Sequence, residues 1–187
     1  MIPVVGFYTK DSPYQQEAQE MKESAHAVGI EDVQLYEVIS RGTWERNCQQ
    51  KAGVLLQACE DVGKPFIYVD ADARFNTLPL IGQDWIGYDM GVHYFKGIEL
   101  LSGTLYINPT ERTKKILSDW IDACALSARR WDQRILADVL RGDSITKILS
   151  LAPEYTWIFD LSKRYYGDLQ PIITHYQASR RYKRRVK

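Results

Sequence analysis

The chain has 187 residues, of which 45% are hydrophobic and 26% charged, and its formal net charge is zero. These values are typical of one soluble globular domain that buries its own core without disulfides. No apolar run approaches the roughly 20 residues that cross a bilayer, and the N-terminus lacks the basic flank of a signal peptide. We therefore expect a cytoplasmic chain with no transmembrane segment, whose three cysteines are reduced.

The neutral total hides a basic C-terminal segment. From residue 161 onward, eight Lys and Arg residues stand against one acidic residue, so this part carries +7 and the remainder −7. We divide the chain into a domain at 1–179 and a basic tail at 180–187. Three interpretations of the tail stay open: a solvated segment, a surface for an anionic partner such as nucleic acid or phospholipid, and a lid over a diphosphate.

The first half of the chain predicts the order βαβαβ. Apolar, β-branched runs alternate with amphipathic stretches at helical spacing, which indicates a parallel sheet with right-handed crossovers. Such sheets bind ligands at the carboxyl ends of their strands, so Tyr8 and Thr9 should share one rim with the residues after the third strand. The predicted elements are strands at 3–8, 33–39 and 66–69, a helix from Ser12-Pro13 to Gly29, and one continuous helix from Trp44 through Cys59 that stops at Gly63.

The pattern changes in the second half. Residues 76–97 contain four glycines among scattered aromatic residues, which favours short strands and loops. The run 100–107 reads as a strand interrupted by Ser102 and Gly103, and a glycine inside a strand marks a bulge or a close approach of the backbone to a ligand. Helices are expected from Asn108-Pro109 and from Trp131-Asp132-Gln133 to about Leu140, and strands at 148–152 and 171–175.

Two carboxylates, Asp70 and Asp72, follow the third strand. Side chains two positions apart in a strand point the same way, so both carboxylates can converge on one hard cation. Mg²⁺ and Mn²⁺ prefer such oxygen ligands and commonly share them with the phosphates of a substrate. The pair therefore predicts phosphate chemistry, although the same spacing also occurs in surface loops.

Five short motifs occur in an order that resembles one enzyme family. They are Val-Asp-Ala-Asp at 69–72, Leu-Ser-Gly-Thr-Leu-Tyr-Ile-Asn at 101–108, Trp-Asp-Gln at 131–133, Leu-Ala-Pro-Glu-Tyr at 151–155 and Ile-Ile-Thr-His-Tyr at 172–176. Together they resemble the nucleotide-diphospho-sugar transferases, glycosyltransferases of the GT-A type, over almost the whole chain. The resemblance implies a single-domain, Rossmann-like α/β fold with a mixed, mostly parallel sheet flanked by helices. It also implies transfer of a sugar from a nucleotide-diphosphate sugar.

The resemblance further implies a metal site. A divalent ion, Mn²⁺ or Mg²⁺, would bridge the donor diphosphate to Asp72 and His175, with Asp70 near the ribose or the ion. This agrees with the chemistry, because breaking a sugar-phosphate bond puts negative charge on the departing diphosphate, and a dication stabilises that charge.

Asp132 and Gln133 are implied as the catalytic pair beside the donor sugar, through hydroxyl recognition or stabilisation of an intermediate. A carboxylate at a helix start is also a good first-turn or capping residue, so this structural alternative stays open. Lys51, on the polar side of its helix, is similar to a basic residue that relatives aim at the donor. The other positions expected to contact the donor are Tyr8, Thr9, Ser102 and Gly103, with Arg180, Arg181 and Lys183 as a lid that excludes water.

Three other functions compete with this one. A phosphatase of the haloacid dehalogenase type has Thr or Val two residues after the second aspartate, where this chain has Arg74. A sugar-nucleotide pyrophosphorylase needs a glycine-rich basic loop after the first strand, and residues 7–11 contain no glycine. A non-catalytic nucleotide-sugar-binding or nucleic-acid-binding module would keep buried carboxylates without a cation, which is costly.

The acceptor stays open in the sequence between a glycan, a protein, DNA with modified bases and an anionic membrane surface. Asp132 and Glu154 both remain candidates for the catalytic base.

Overall fold

The computed structural model describes residues 2–127 and 129–182. The strands are β1 (Val4–Thr9), β2 (Val33–Val38), β3 (Phe66–Val69), β4 (Ala73–Phe75), β5 (Met90–Phe95), β6 (Glu99–Ile107), β7 (Ile148–Ser150), β8 (Trp157–Ile158) and β9 (Ile173–His175). The helices are α1 (Tyr14–Ala27), α2 (Trp44–Cys48), α3 (Lys51–Val62), α4 (Glu111–Ala125), α5 (Asp132–Gly142), α6 (Ser162–Tyr166) and α7 (Ser179–Tyr182), with 3₁₀ helices at Gln83–Gly87 and Pro153–Thr156. Within this described part, no helix has both the length and the apolar character to cross a membrane.

Six strands form the central sheet in the order β2-β1-β3-β6-β5-β7. Only β6 runs against its neighbours, since β1 pairs in parallel with β2 and β3, and β5 pairs in parallel with β7. A second sheet of three strands has the order β4-β9-β8 and brings His175 opposite Ala73. The prediction of a mixed, mostly parallel α/β sheet flanked by helices is confirmed.

Hydrophobic cores lie on both faces of the central sheet. Alternate residues of β3 point to opposite faces, so Phe66 packs with α3, α4 and α5, whereas Ile67 packs with α1 and the small sheet. Trp120 of α4 is fully buried in the first core, and its indole nitrogen donates to the backbone oxygen of Asp132 at 3.0 Å. Burying one such side chain contributes about 1.5–3 kcal/mol. This packing fixes the start of α5 against the sheet.

The predicted continuous helix from Trp44 through Cys59 is wrong, because it divides into α2 and α3 at Gln49 and Gln50. The amide of Gln50 donates to the Asn47 carbonyl three residues back, which tightens the turn. The buried side chain of Gln49 donates to the carbonyls of Ser127 and Arg130 at 2.8 and 2.9 Å, so tertiary hydrogen bonds hold the break in place. The cysteines are free, as predicted.

One smaller expectation, the interrupted strand, also changes. β6 passes without interruption through Ser102 and Gly103, and the register shift lies in β5, between Gly91 and His93. The proposed tail boundary at residue 180 falls inside α7, and residues 183–187 lie outside the described part.

Candidate active site

A cavity of about 820 Å³ opens at the carboxyl ends of β1 and β3. Its walls come from these strand ends, the starts of α3 and α5, the middle of β6 and the segment after β9. It is lined by the predicted site residues Tyr8, Thr9, Lys51, Asp70, Asp72, Ser102, Gly103, Asp132, Gln133, His175 and Arg180. Lys183 lies outside the described residues.

The two aspartates converge through a turn and not through strand alternation, which corrects the reason given from the sequence. β3 ends at Val69, the amide of Asp70 donates to the Gly103 carbonyl at 2.8 Å, and the amide of Ala73 returns to the Asp70 carbonyl at 3.0 Å. Asp72 therefore folds back beside Asp70. Ligand atoms of Asp70, Asp72 and His175 all lie within 4.8 Å of one another.

The imidazole of His175 is buried and fixed. Its Nε2 hydrogen-bonds the hydroxyl of Thr104 at 2.8 Å, and its Nδ1 lies 4.0 Å from a carboxylate oxygen of Asp72. Burial lowers the pKa of His175 to about 4, so the ring is neutral at pH 7. In the tautomer whose Nε2 proton goes to Thr104, Nδ1 keeps a lone pair facing the aspartates, which is the form that ligates metals.

Asp72 also holds the C-terminal segment. Its Oδ2 accepts the amide of Ala178 at 2.7 Å, and its backbone oxygen accepts the amide of Tyr176 at 3.1 Å. Burial, followed by the negative charge of Asp70, raises the pKa of Asp72 to about 6, and the Ala178 hydrogen bond opposes this rise. The neighbouring negative charge thus disfavours ionisation of the Asp72 carboxyl group.

Gly103 lets these groups approach each other. A methyl group at this position would lie 3.0 Å from Nδ1 of His175 and 3.3 Å from Oδ2 of Asp70. The sequence predicts either a bulge or a close approach of the backbone at this glycine, and the structure has the close approach.

Lys51 is buried, which corrects its placement on the polar side of the helix. It is 3% exposed, and its ammonium lies 3.0 Å from Asp70 and 2.9 Å from Asp132. It also donates to the carbonyl and the hydroxyl of Ser102, both at 3.1 Å. Burial lowers the pKa of Lys51, but the charges of Asp132 and Asp70 outweigh it and raise the pKa above its ordinary value.

Asp132 is the first residue of α5 and follows the N-cap residue Trp131. Its carboxylate is 5% exposed and accepts from Lys51 and from the hydroxyl of Ser102 at 3.1 Å. Gln133 accepts the amide of Ser102 at 3.3 Å and donates to Glu99 at 3.2 Å. The side chain of Asp132 therefore belongs to the network around Lys51, while its place in the first turn of α5 keeps the helix-start alternative open.

Two residues that the sequence reasoning missed complete this network. The buried Tyr68 donates its hydroxyl to Asp70 at 2.6 Å, and Thr104 positions His175. Tyr68 lies two residues before Asp70, and Thr104 two residues after Ser102, so strand alternation was a usable signal for both. A tyrosine or threonine in a strand also looks like ordinary core, which hides that signal.

The charges around the turn fit a divalent cation. Asp70 and Asp132 both contact the ammonium of Lys51, and Asp72 lies beside Asp70, so this cluster of described residues has three carboxyl groups and one ammonium. Two carboxylates and one neutral imidazole form a donor set of the kind that Mn²⁺ and Mg²⁺ accept.

The basic residues of α7 pair with carboxylates. Arg180 lines the cavity and forms an ion pair with Asp160, whereas Arg181 and Tyr182 both donate to the buried Glu17 of α1. Glu17 also accepts from Arg74 at 2.9 Å, just after the turn at 70–73. The C-terminal helix is thereby anchored to α1. The turn at 70–73, which carries the candidate metal ligands Asp70 and Asp72, is called the metal-site turn below.

The comparison with solved structures agrees with this geometry. The chain is similar to "crystal structure of a glycosyltransferase involved in the glycosylation of the major capsid of PBCV-1", with a TM-score of 0.73, 12% identity, and 97% of each chain covered. No protein-family model matches the sequence, and no curated protein matches it. The chain therefore has the fold of a glycosyltransferase, as the motifs indicated.

Proposed function

We propose that this protein is a glycosyltransferase that transfers a sugar from a nucleotide-diphosphate sugar, with Mn²⁺ or Mg²⁺ held by Asp70, Asp72 and His175. The observation that carries the proposal is the convergence of these three side chains at the rim of a cavity in a glycosyltransferase fold. The closeness of the two carboxylates adds support, because like charges crowded together repel each other unless a cation lies between them.

In this proposal the donor lies along the cavity. The nucleoside faces Tyr8 and Thr9 at the end of β1, and the diphosphate reaches the metal-site turn and Arg180. The cation, when bound, neutralises the negative charge that develops on the leaving diphosphate. Arg180 adds positive charge on the same side.

Asp132 acts on the sugar side of the sugar-phosphate bond. As the bond to the diphosphate breaks, positive charge builds on the sugar, and a buried carboxylate stabilises it. Lys51 and Ser102 hold that carboxylate in place. Gln133 binds the backbone of Ser102 and so fixes the wall behind it. The acceptor sugar, protein or nucleic acid approaches from the open side of the cavity.

The experiment is a titration of nucleotide sugars with and without Mn²⁺. Asp72→Asn should remove the cation-dependent part of binding while the melting temperature holds, because Asn still accepts the amide of Ala178. Gly103→Ala retains all three proposed metal ligands but should still weaken cation binding, since its methyl group intrudes beside His175. The matched control is Asp119→Asn. Asp119 lies on the outer face of α4, where it pairs with Lys115.

Equal donor affinity for the wild-type protein in Mn²⁺ and in EDTA would contradict the metal site. Failure of a broad panel of nucleotide sugars to bind at all would contradict the donor class.

A further inference from the structure

Gln177 sits at a constrained point of the cavity wall. Its neighbours on both sides, Tyr176 and Ala178, bind Asp72 through their amides. Its own carbonyl accepts the amide of Arg180 at 2.9 Å, so the residue is fixed from both directions. The residue lines the cavity two positions after His175.

The backbone of Gln177 is left-handed, with φ of 50°. Asp11 and Lys96 are the other non-glycine residues with positive φ in the described part of the chain. Aspartate tolerates this region through local hydrogen bonds, whereas glutamine has no such help and pays of order 1 kcal/mol. A glycine here would remove the strain, so this position holds a side chain at a conformational cost.

The side-chain oxygen of Gln177 is buried and has no hydrogen-bond partner among the residues that the structure describes. The hydroxyl of Thr156, another residue that lines the cavity, is also buried without a hydrogen-bond partner among the described residues. A buried polar atom without a partner is destabilising, and such atoms at a binding site gain partners from a ligand. The terminal torsion of glutamine rotates at little cost, so either amide atom can turn to the cavity.

We propose that Gln177 is a substrate-binding residue whose side-chain amide hydrogen-bonds a hydroxyl group of the sugar on the donor. This inference rests on the function proposed above. The amide is neutral and both donates and accepts, which matches a hydroxyl group, whereas phosphate oxygens only accept and have Arg180 nearby. The same wall carries the apolar side chains of Ile158 and Leu161, which suit the C–H face of a sugar ring.

The test compares two titrations in Mn²⁺ by calorimetry. UDP-glucose, UDP-galactose and GDP-mannose are the sugar-bearing probes, and UDP and GDP are the same ligands without sugar. Gln177→Ala should weaken the nucleotide sugar that the wild-type protein binds by roughly three- to tenfold, the worth of one hydrogen bond, and leave the matching nucleoside diphosphate unchanged. Gln177→Asn keeps the amide and tolerates positive φ, and should restore part of the loss.

Lys96→Ala is the matched control, since it places alanine at a second left-handed position outside the cavity wall. It should leave both titrations unchanged. Equal weakening of nucleotide sugar and nucleoside diphosphate by Gln177→Ala would overturn the inference, because it would mean that Gln177 acts on the metal-site turn. No weakening of either would overturn it too. If the wild-type protein binds the nucleoside diphosphates but no member of a broad panel of nucleotide sugars, the donor class itself fails.

Discussion

At the scale of single residues, the contact between Lys51 and Asp132 is costly to assemble. Both groups lose nearly all of their hydration, and a buried ion pair stabilises little unless further hydrogen bonds complete it. Ser102 supplies them to both partners. A pair that contributes little net stability but holds one carboxylate at the cavity wall is better explained by function than by folding.

Asp132→Asn tests that explanation. We expect the rate of transfer to fall about 100-fold while donor affinity changes less than about threefold, because the carboxylate charge matters mainly in the transition state. Steady-state kinetics and donor titration measure the two effects separately. Asp138→Asn, an exposed aspartate on the same helix, is the control. A variant that melts earlier yet keeps its turnover would assign Asp132 to stability instead.

The sequence identified the residues that carry charge better than those that position them. Asp70, Asp72 and His175 stand in a recognisable order, and the structure brings them together. Tyr68 and Thr104 were not predicted, because the role of a polar side chain in a strand is known only when its partner in space is known. Lys51 was found for its charge but misplaced, since burial of a lysine depends on carboxylates far away in the chain.

At the scale of elements, Asp89 joins three segments of the first core. Its carboxylate accepts the amide of Lys147 before β7 at 2.8 Å and the hydroxyl of Thr110 before α4 at 2.7 Å. Burial raises the pKa of Asp89, but these hydrogen bonds and the charge of Arg112 outweigh it, and the pKa lies below the ordinary 3.8. The ionised form is therefore the one that the fold stabilises.

Asp89→Asn should lower the free energy of unfolding at pH 7 by about 1–3 kcal/mol, as expected for weakened hydrogen bonds to a buried carboxylate. A group whose pKa is depressed by folding stabilises the protein above its unfolded pKa and loses that effect as pH falls through its folded pKa. The gap in urea-unfolding free energy between the two proteins should thus close below pH 3.8. A gap that stays constant down to that range would contradict a charged role for Asp89.

Element order was predictable, but the join between α2 and α3 was not. The apolar stripe from Trp44 to Cys59 keeps helical spacing across the break, so the sequence contains no local stop signal. Gln49 ends the first helix by reaching carbonyls about 80 residues away. Such a hydrogen bond is set by tertiary structure and not by helix propensity.

At the scale of the whole molecule, carboxylates elsewhere in the chain compete with a bound diphosphate for the arginines of α7. Arg180 is held by Asp160, an exposed pair of the kind that contributes at most about 1 kcal/mol, so a diphosphate in the cavity can recruit the guanidinium. Arg181 is held by the buried Glu17 and is harder to release. This division favours a lid in which α7 stays docked and Arg180 moves.

The lid predicts opposite effects for two variants. Deleting residues 180–187 should lower donor affinity, because Arg180 is lost, whereas Asp160→Asn frees Arg180 and should raise donor affinity by up to about fivefold. Donor titration and melting temperature are measured together, since the deletion also removes the contacts to Glu17. If the deletion spares donor binding but flattens the salt dependence of DNA binding, the tail is a polyanion-binding surface.

The hydrogen bond from Ala178 to Asp72 joins positions 106 residues apart, and it places a backbone proton directly on a proposed metal ligand. The chemical shift of an amide proton depends on how much electron density its acceptor offers. A cation that draws density from the Asp72 carboxylate would move the Ala178 resonance, whatever the nucleotide or sugar. The fold thus contains its own spectroscopic probe, and a ¹⁵N-labelled sample titrated with Mg²⁺ alone can report cation occupancy before any substrate is known.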